Sequence, residues 1–321
     1  LITVLLLGAM CSTSPELAIA IAVVIAGLLT YRQKLHYFAR NQLTDVEVRD
    51  GLVLATAALV VLPLVPDRFI GAYAAINLRT ICTLTVLLMV VGAVGNIAVR
   101  TLGTRYGYAI SAIASGFASS TVTIAAMGHI AAREPDNIKV LSAAAIFSNL
   151  ATVTQVGLIM GAVDSSLLRH IWGPLLCGAA AIALYGLCLM FPRPANGVGQ
   201  PIKVGGAFNL KLALVVSLTM TGITFLSSVM LSHFGETGVM LTATLSGFAD
   251  AHSSTASIAT LAKSGQLPLS ATTIPILIAV SSNTLSKCLV AWISGGRRFA
   301  AYVIPGQVLL TLAMWAGILL L

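Results

Sequence analysis

Two stretches of this 321-residue chain gather side chains that could do chemistry: SGFASSTVTIA from Ser115 and SGFADAHSSTASIA from Ser246. They are one motif, repeated about 131 residues apart. Each opens on a serine and a glycine, Ser115 with Gly116 and Ser246 with Gly247, and glycine lets a chain turn. Hydroxyls follow, Ser119, Ser120 and Thr121 in the first copy and Ser253, Ser254 and Thr255 in the second. Such residues cap helices by accepting from free backbone N–H groups. A helix starting there offers N–H groups and a partial positive charge to an anion. Hydroxyls and freed carbonyls at the same place suit a cation, and the sequence leaves both readings open.

Only the second copy adds groups that titrate. Asp250 is the one acidic residue of ten that falls deep within a hydrophobic stretch. A carboxylate there binds a cation, carries a proton, holds a basic partner or caps a helix beside a wet crevice. His252 titrates near neutral pH and can ligate a metal, shuttle a proton or serve as a structural hydrogen-bonding residue. Asn149 and Asn283 sit mid-span beside Ser148 and Ser282, and either line a site or glue helices together. Lys287 lies about one turn beyond Asn283. It can pair with Asp250, bind an anion or snorkel to the cytoplasmic interface. Gln155 and Asn96 are weaker candidates.

The elements that position these residues must be membrane helices. The chain is 58% apolar and only 9% charged, where soluble domains average about 25% charged. Its mean hydropathy is +0.97. These values exclude a soluble enzyme, a disordered chain and a nucleic-acid binder. The net charge of +8 reads as Lys and Arg collected in cytoplasmic loops. Cys11, Cys82, Cys177, Cys188 and Cys288 form no CxxC and no Cys/His cluster. There is no GxxxxGK[ST] phosphate loop and no catalytic pair, so the expectation is a non-enzyme without cofactor, its metal unassigned. The sequence starts at Leu1 without Met, and LITVLLLGAM is half a span. It reads as the inside of a longer chain, not as a signal peptide.

Apolar spans run over Leu1–Cys11, Glu16–Tyr31, Gly51–Val65, Asn77–Val99, Asn137–Ala162, His170–Phe191, Asn209–Leu231, Leu269–Ser294 and Phe299–Leu320. Arg32 to Asp50 reads as an interfacial amphipathic helix or a charged loop. Residues 192–208, rich in Pro and Gly, read as a linker. INLR at Ile76 matches FNLK at Phe208, and SNLAT at Ser148 matches SNTLS at Ser282. The chain therefore divides into 1–76, with the N-terminal helices, a repeat over 77–191, the linker, and a second repeat over 209–321. The two motif segments, Arg105–Arg133 and Glu236–Lys263, either cross the membrane once or enter and return. A single crossing distributes nine basic residues to one side and eight to the other. Returning hairpins give thirteen against four, as the positive-inside rule favours. Arg105 to Gly116 is about 18 Å of helix, enough for half a bilayer. The expected fold is all-α and polytopic, with about nine transmembrane helices, two re-entrant hairpins and an inverted repeat.

The motifs LHYFARNQLTDVEVRDGL, VLPLVPDR, SGFASSTVTIA, SGFADAHSSTASIA and SSNTLSKCLVAWISGGRR together resemble the membrane family called domain of unknown function 4010. The resemblance covers nearly the whole chain. It implies site residues at Gly116, Ser119, Ser120, Thr121, Gly247, Asp250, Thr255, Asn283, Thr284, Lys287, Gly295, Gly296, Arg297 and Arg298. At His252 the sequence departs from it, since a second acidic residue is common there in the family. That puts a two-carboxylate cation site in doubt. The family is often joined to an MgtC-type domain, which implies ion homeostasis and a further domain before residue 1.

The expected function is secondary transport of an ion or small solute by alternating access, in the inner membrane, around a midplane site between the two motifs. A non-transporting sensor or regulatory subunit and a channel are the alternatives. Expected partners are the lipid bilayer, the solute, a coupling proton or sodium, and a second copy of the chain in a homodimer.

Overall fold

The computed structural model describes residues 2–33, 36–37, 45–190 and 210–320. Residues 34–35 and 38–44 of the amphipathic segment expected at Arg32–Asp50, and the whole linker 192–208, lie outside the described residues. The chain forms two compact units, Leu1–Leu52 and Val53–Leu321. In the first, α1 (Ile2–Cys11) and α2 (Pro15–Thr30) pack together across a turn in which Ser14 N–H donates to Met10 O. Pro15 opens α2, where its missing N–H is no loss. The helix α3 (Asp45–Thr56) begins in this unit and ends in the next.

The second unit holds the motifs. A two-residue antiparallel pair, Phe69–Ile70 with Ile76–Asn77, leads into α4 (Leu78–Arg133). Asn77 caps α4 by accepting from Thr80 N–H and donates through Nδ2 to Asp67. Then come α5 (Ile138–Val163), α6 (Ser165–Arg169), α7 (Trp172–Met190), α8 (Leu210–Ala249), α9 (Ala251–Lys263) and α10 (Thr273–Ala316). The α5 sequence spreads its apolar residues around every face and leaves no polar stripe for water, so it belongs in the middle of the bundle. It is accordingly the most buried of the long helices.

The long helices are not straight rods. Gly92 and Gly95 of α4 touch Ala114, Phe117 and Ala118 of the same helix, so Leu78–Val99 and Tyr108–Arg133 lie side by side. Gly235 in α8 has φ +60°, open only to glycine, and Gly238 then packs on Met230. Gly296 in α10 has φ +69°, and beyond it Trp315 returns to donate its indole N–H to Ser281. Among the described residues six helical stretches are long and apolar enough to cross a membrane: Leu78–Val99, Tyr108–Arg133, Pro135–Val163, Trp172–Met190, Ala213–Ala249 and Leu269–Leu320. The chain is therefore an all-α protein of membrane type.

Contacts sort the helix ends into two groups. Lys263 reaches Thr80 and, with Asp67, Arg79 and Val163, lines one small cavity of about 70 Å³. At the other end Ala131, Leu141 and Phe299 share one apolar cluster, and Gly128 lies against Ser294 and Gly295. Both ends tie the two sequence halves together, as does a hydroxyl pair midway between them, Thr85 with Ser217 at 2.9 Å.

Candidate functional site: two capped bends and a buried lysine

The first motif stays helical in backbone assignment from Tyr108 to Arg133, without the open break its sequence suggests. It is nevertheless sharply bent. Ser115 Oγ and Thr123 Oγ1 stand 2.9 Å apart, although eight residues of straight helix rise about 12 Å. The bend centres on Ser119, whose Oγ accepts from Val122 N–H. That is the geometry of a helix N-cap. A side chain of α5 takes a carbonyl released there: Gln155 Nε2 donates to Phe117 O at 3.1 Å. Ser120 Oγ bonds Thr152 Oγ1 at 2.9 Å. Gly116 rests directly on the Ser148 backbone, with no room for a Cβ.

The second motif repeats the framework of these contacts 131 residues on, as Ser115 to Ser246. Ser246 Oγ meets Ser254 Oγ at 2.7 Å, Gly247 rests on the Ala279 backbone, and Asp250 stands where Ser119 stood. Here the helix does break: Asp250 is extended, at φ −160° and ψ 121°, and caps α9. Its Oδ1 accepts from the His252 backbone N–H (3.0 Å) and contacts His252 Nδ1 (2.8 Å). Its Oδ2 accepts from Ser253 N–H (2.8 Å) and Ser253 Oγ (2.6 Å). With the ring proton on Nδ1, the lone pair of His252 is on Nε2, which is buried and has no hydrogen-bond partner among the described residues. Among the described residues no group of three His, Cys, Asp or Glu gathers. A metal would thus find one imidazole nitrogen and a carboxylate already engaged.

Between the bends sits Lys287, 2% exposed. From α10 its Nζ donates to Asn149 Oδ1 and to Thr152 Oγ1 of α5, both at 3.0 Å. An ammonium carries three N–H donors; among the described residues two of them are bonded. Asn149 is fixed by its own Nδ2, which donates to Ile146 O. Among the described residues Asp250 and Lys287 form no close ion pair; the close partner of Asp250 is His252.

Of the sequence-derived site residues, Ser115, Gly116, Ser119 and Ser120 shape the first bend, and Ser246, Gly247, Asp250, His252 and Ser253 the second. Asn149 and Lys287 join the two halves. Asn283, 7% exposed, lies one turn before Lys287 and makes no side-chain hydrogen bond among the described residues. Thr121 is half-buried, and Thr255 returns its hydroxyl to Ala251 O, so neither reaches the lysine cluster by these bonds. Lys287 neither snorkels to an interface nor forms a close ion pair with Asp250. Thr152 is the residue the sequence reading missed; its signal was its place three residues after Asn149, on the same helical face. The pairing of Asn149 with Asn283 also shifts. Counted from the Gly116–Ser148 and Gly247–Ala279 contacts, Asn283 matches Thr152, one turn further along.

An uncharacterized protein of Aquifex aeolicus (strain VF5) is 30% identical to this chain over 104 residues, which are 32% of this chain and 45% of that protein. The chain thus spans less than half the length of this relative. No solved structure matches. The profile of the family described as domain of unknown function (DUF4010) matches residues 86–295, from the first long helix through both bends and the buried lysine, and the chain belongs to that family.

Proposed function

We propose that this chain is a multi-pass inner-membrane secondary transporter, moving an ion or small polar solute by alternating access. The observation that carries the reading is Lys287: a buried ammonium held by the opposite sequence half, with one N–H unbonded among the described residues. Ionisable groups inside a membrane bundle are costly and mark transport pathways. Around it stand two capped bends with matching contacts, one in each half, the first helical throughout and the second broken at Asp250. Paired interruptions are the usual form of a transporter's central site.

In this reading the bends are the tips of re-entrant hairpins entering from opposite faces. The end contacts support that arrangement. The Gly128–Ala131 end of the first motif lies with Ser294, Gly295 and Phe299, while Lys263 lies with Asp67, Arg79 and Val163. Two single crossings would place Arg133 opposite Arg297 and beside Lys263. Hairpins give six crossings over residues 77–321 and, with the three N-terminal spans, nine in all. The two halves are then inverted copies, and Thr85–Ser217 joins equivalent helices near their axis. Asp250 with His252 can carry a coupling proton.

The test begins with the purified chain and a thermal-shift screen of single salts and small metabolites, since a ligand of the folded state raises stability. Flux of a hit into proteoliposomes is then followed by radiolabel. The reading expects wild-type uptake that Lys287→Met abolishes. A hit that binds at the Lys287 cluster yet enters no faster than into protein-free liposomes would make the chain a sensor.

A further inference from the structure

A groove of about 410 Å³ opens on another side of α10, away from the lysine cluster, between the second limb of α8 and the two limbs of α10. That volume lies within the range of small-molecule sites. Its rim is apolar and exposed: Phe248, Leu285, Val308 and Leu312 are 43–62% exposed. In a membrane-type bundle such a rim faces hydrocarbon. The deep wall is polar, made by Ser282 and Gln307. Gln307 is 0% exposed, and among the described residues neither its Oε1 nor its Nε2 has a hydrogen-bond partner. A buried carboxamide with both ends unpaired is rare and calls for a partner. Water reaching it would have to cross an apolar rim.

The geometry points to a second binding site here, for a neutral alkyl molecule ending in a planar group with one acceptor and one donor, a carboxamide or a protonated carboxylic acid. Gln307 Nε2 donates to the ligand's carbonyl and Gln307 Oε1 accepts from its N–H or O–H. The chain of the ligand lies along the rim and enters sideways from the bilayer. A charged head is disfavoured because no ionic group lines the groove. This site is independent of the transport reading and stands or falls without it.

Trp315 supplies the reporter, since its indole N–H bonds Ser281 on the groove wall. In the full chain carrying Trp172→Phe and Trp292→Phe, Trp315 fluorescence is titrated with 11-bromoundecanamide and, separately, with 1-bromoundecane. Concentrations are expressed per mole of detergent. Saturable quenching is expected for the amide, with an apparent affinity at least about tenfold above the alkane's, the ratio that one good hydrogen bond supports. Gln307→Leu should remove that preference without lowering the melting temperature, because it deletes an unpaired buried amide. Equal quenching by both probes, or a preference that survives Gln307→Leu, overturns the site. Should Gln307→Leu fail to fold, Thr311→Phe fills the groove instead, and persistence of the amide preference there overturns it equally.

Discussion

Lys287→Met tests the central cluster most sharply when paired with Asn149→Leu. Methionine keeps most of the length of the lysine stem but removes the charge and two hydrogen bonds. Hydrogen bonds from a charged donor contribute about 1.5–3 kcal/mol each. Against that, the substitution relieves the desolvation of a buried ion, several kcal/mol on the scale of such groups. Thr152 keeps Ser120 as a partner and Asn149 keeps Ile146 O through Nδ2. Only Asn149 Oδ1 is orphaned, at about 1–3 kcal/mol. The net change for Lys287→Met is therefore within about 2 kcal/mol of zero, of either sign. Asn149→Leu alone is different. It strips a partner from a buried cation and should cost about 2–3 kcal/mol. In the Lys287→Met background the same change removes an acceptor that already lacks a partner, so it should cost little. The expected coupling is about 2 kcal/mol, read by reversible unfolding in mixed micelles across the four proteins. Additivity within about 0.5 kcal/mol would refute the contact as the cluster's anchor.

Gly116→Ala and Gly247→Ala each drive a Cβ into the backbone of Ser148 or Ala279; each should lower the melting temperature clearly, while Gly222→Ala, in open space, should not. Cysteines at Lys139 and Arg298 should label from one membrane face and those at Arg79 and Lys263 from the other; Lys139 labelling together with Lys263 would remove the re-entrant hairpins. Asp250→Asn keeps a good N-cap residue and should fold normally yet lose flux, and full flux would take Asp250 out of the mechanism. Asp67 is held below the usual carboxylate range first by the Asn77 hydrogen bond, then by Lys263 and Arg79. A depressed folded-state pKa means stability that is present above the ordinary carboxyl range and lost as pH falls through the lowered value. Asn77→Ala should therefore flatten the melting-temperature profile below about pH 4, and an unchanged profile would reject the linkage.

Much of the helical layout was legible because apolar runs here end at charges or glycines. The span expected at Asn77–Val99 is found at Leu78–Val99, and that at Asn137–Ala162 becomes Ile138–Val163. The motif repeat, read as spacing, returns as matched contacts. The partner of Lys287 was not legible: a long side chain in an apolar helix has three fates open to it, and reach across to another helix decides between them. Register was lost in the same way. SNLAT and SNTLS align as text, but the connection before α10 is longer than that before α5, and packing slips Asn283 by one turn. Gln307 gave no signal, since one glutamine in an apolar run says nothing about its partners.

The two bends share a mechanism and differ in charge, and that difference sets what the cluster can do. Ser119 caps with a neutral hydroxyl and one backbone N–H. Asp250 caps with a carboxylate that four groups hold. Those contacts occupy the N–H groups that would otherwise attract an anion to the start of α9. In the transport reading an anion would therefore be drawn to Lys287 and not to the helix terminus. A cation meets a carboxylate whose oxygens are already engaged and must first displace His252 or Ser253. The imidazole is the movable member of that set, with Nδ1 on Asp250 and Nε2 unbonded. Rotation of the His252 ring would release one of the two contacts on Asp250 Oδ1, leaving the backbone N–H of His252 in place. The asymmetry thus assigns shape to the first bend and charge to the second.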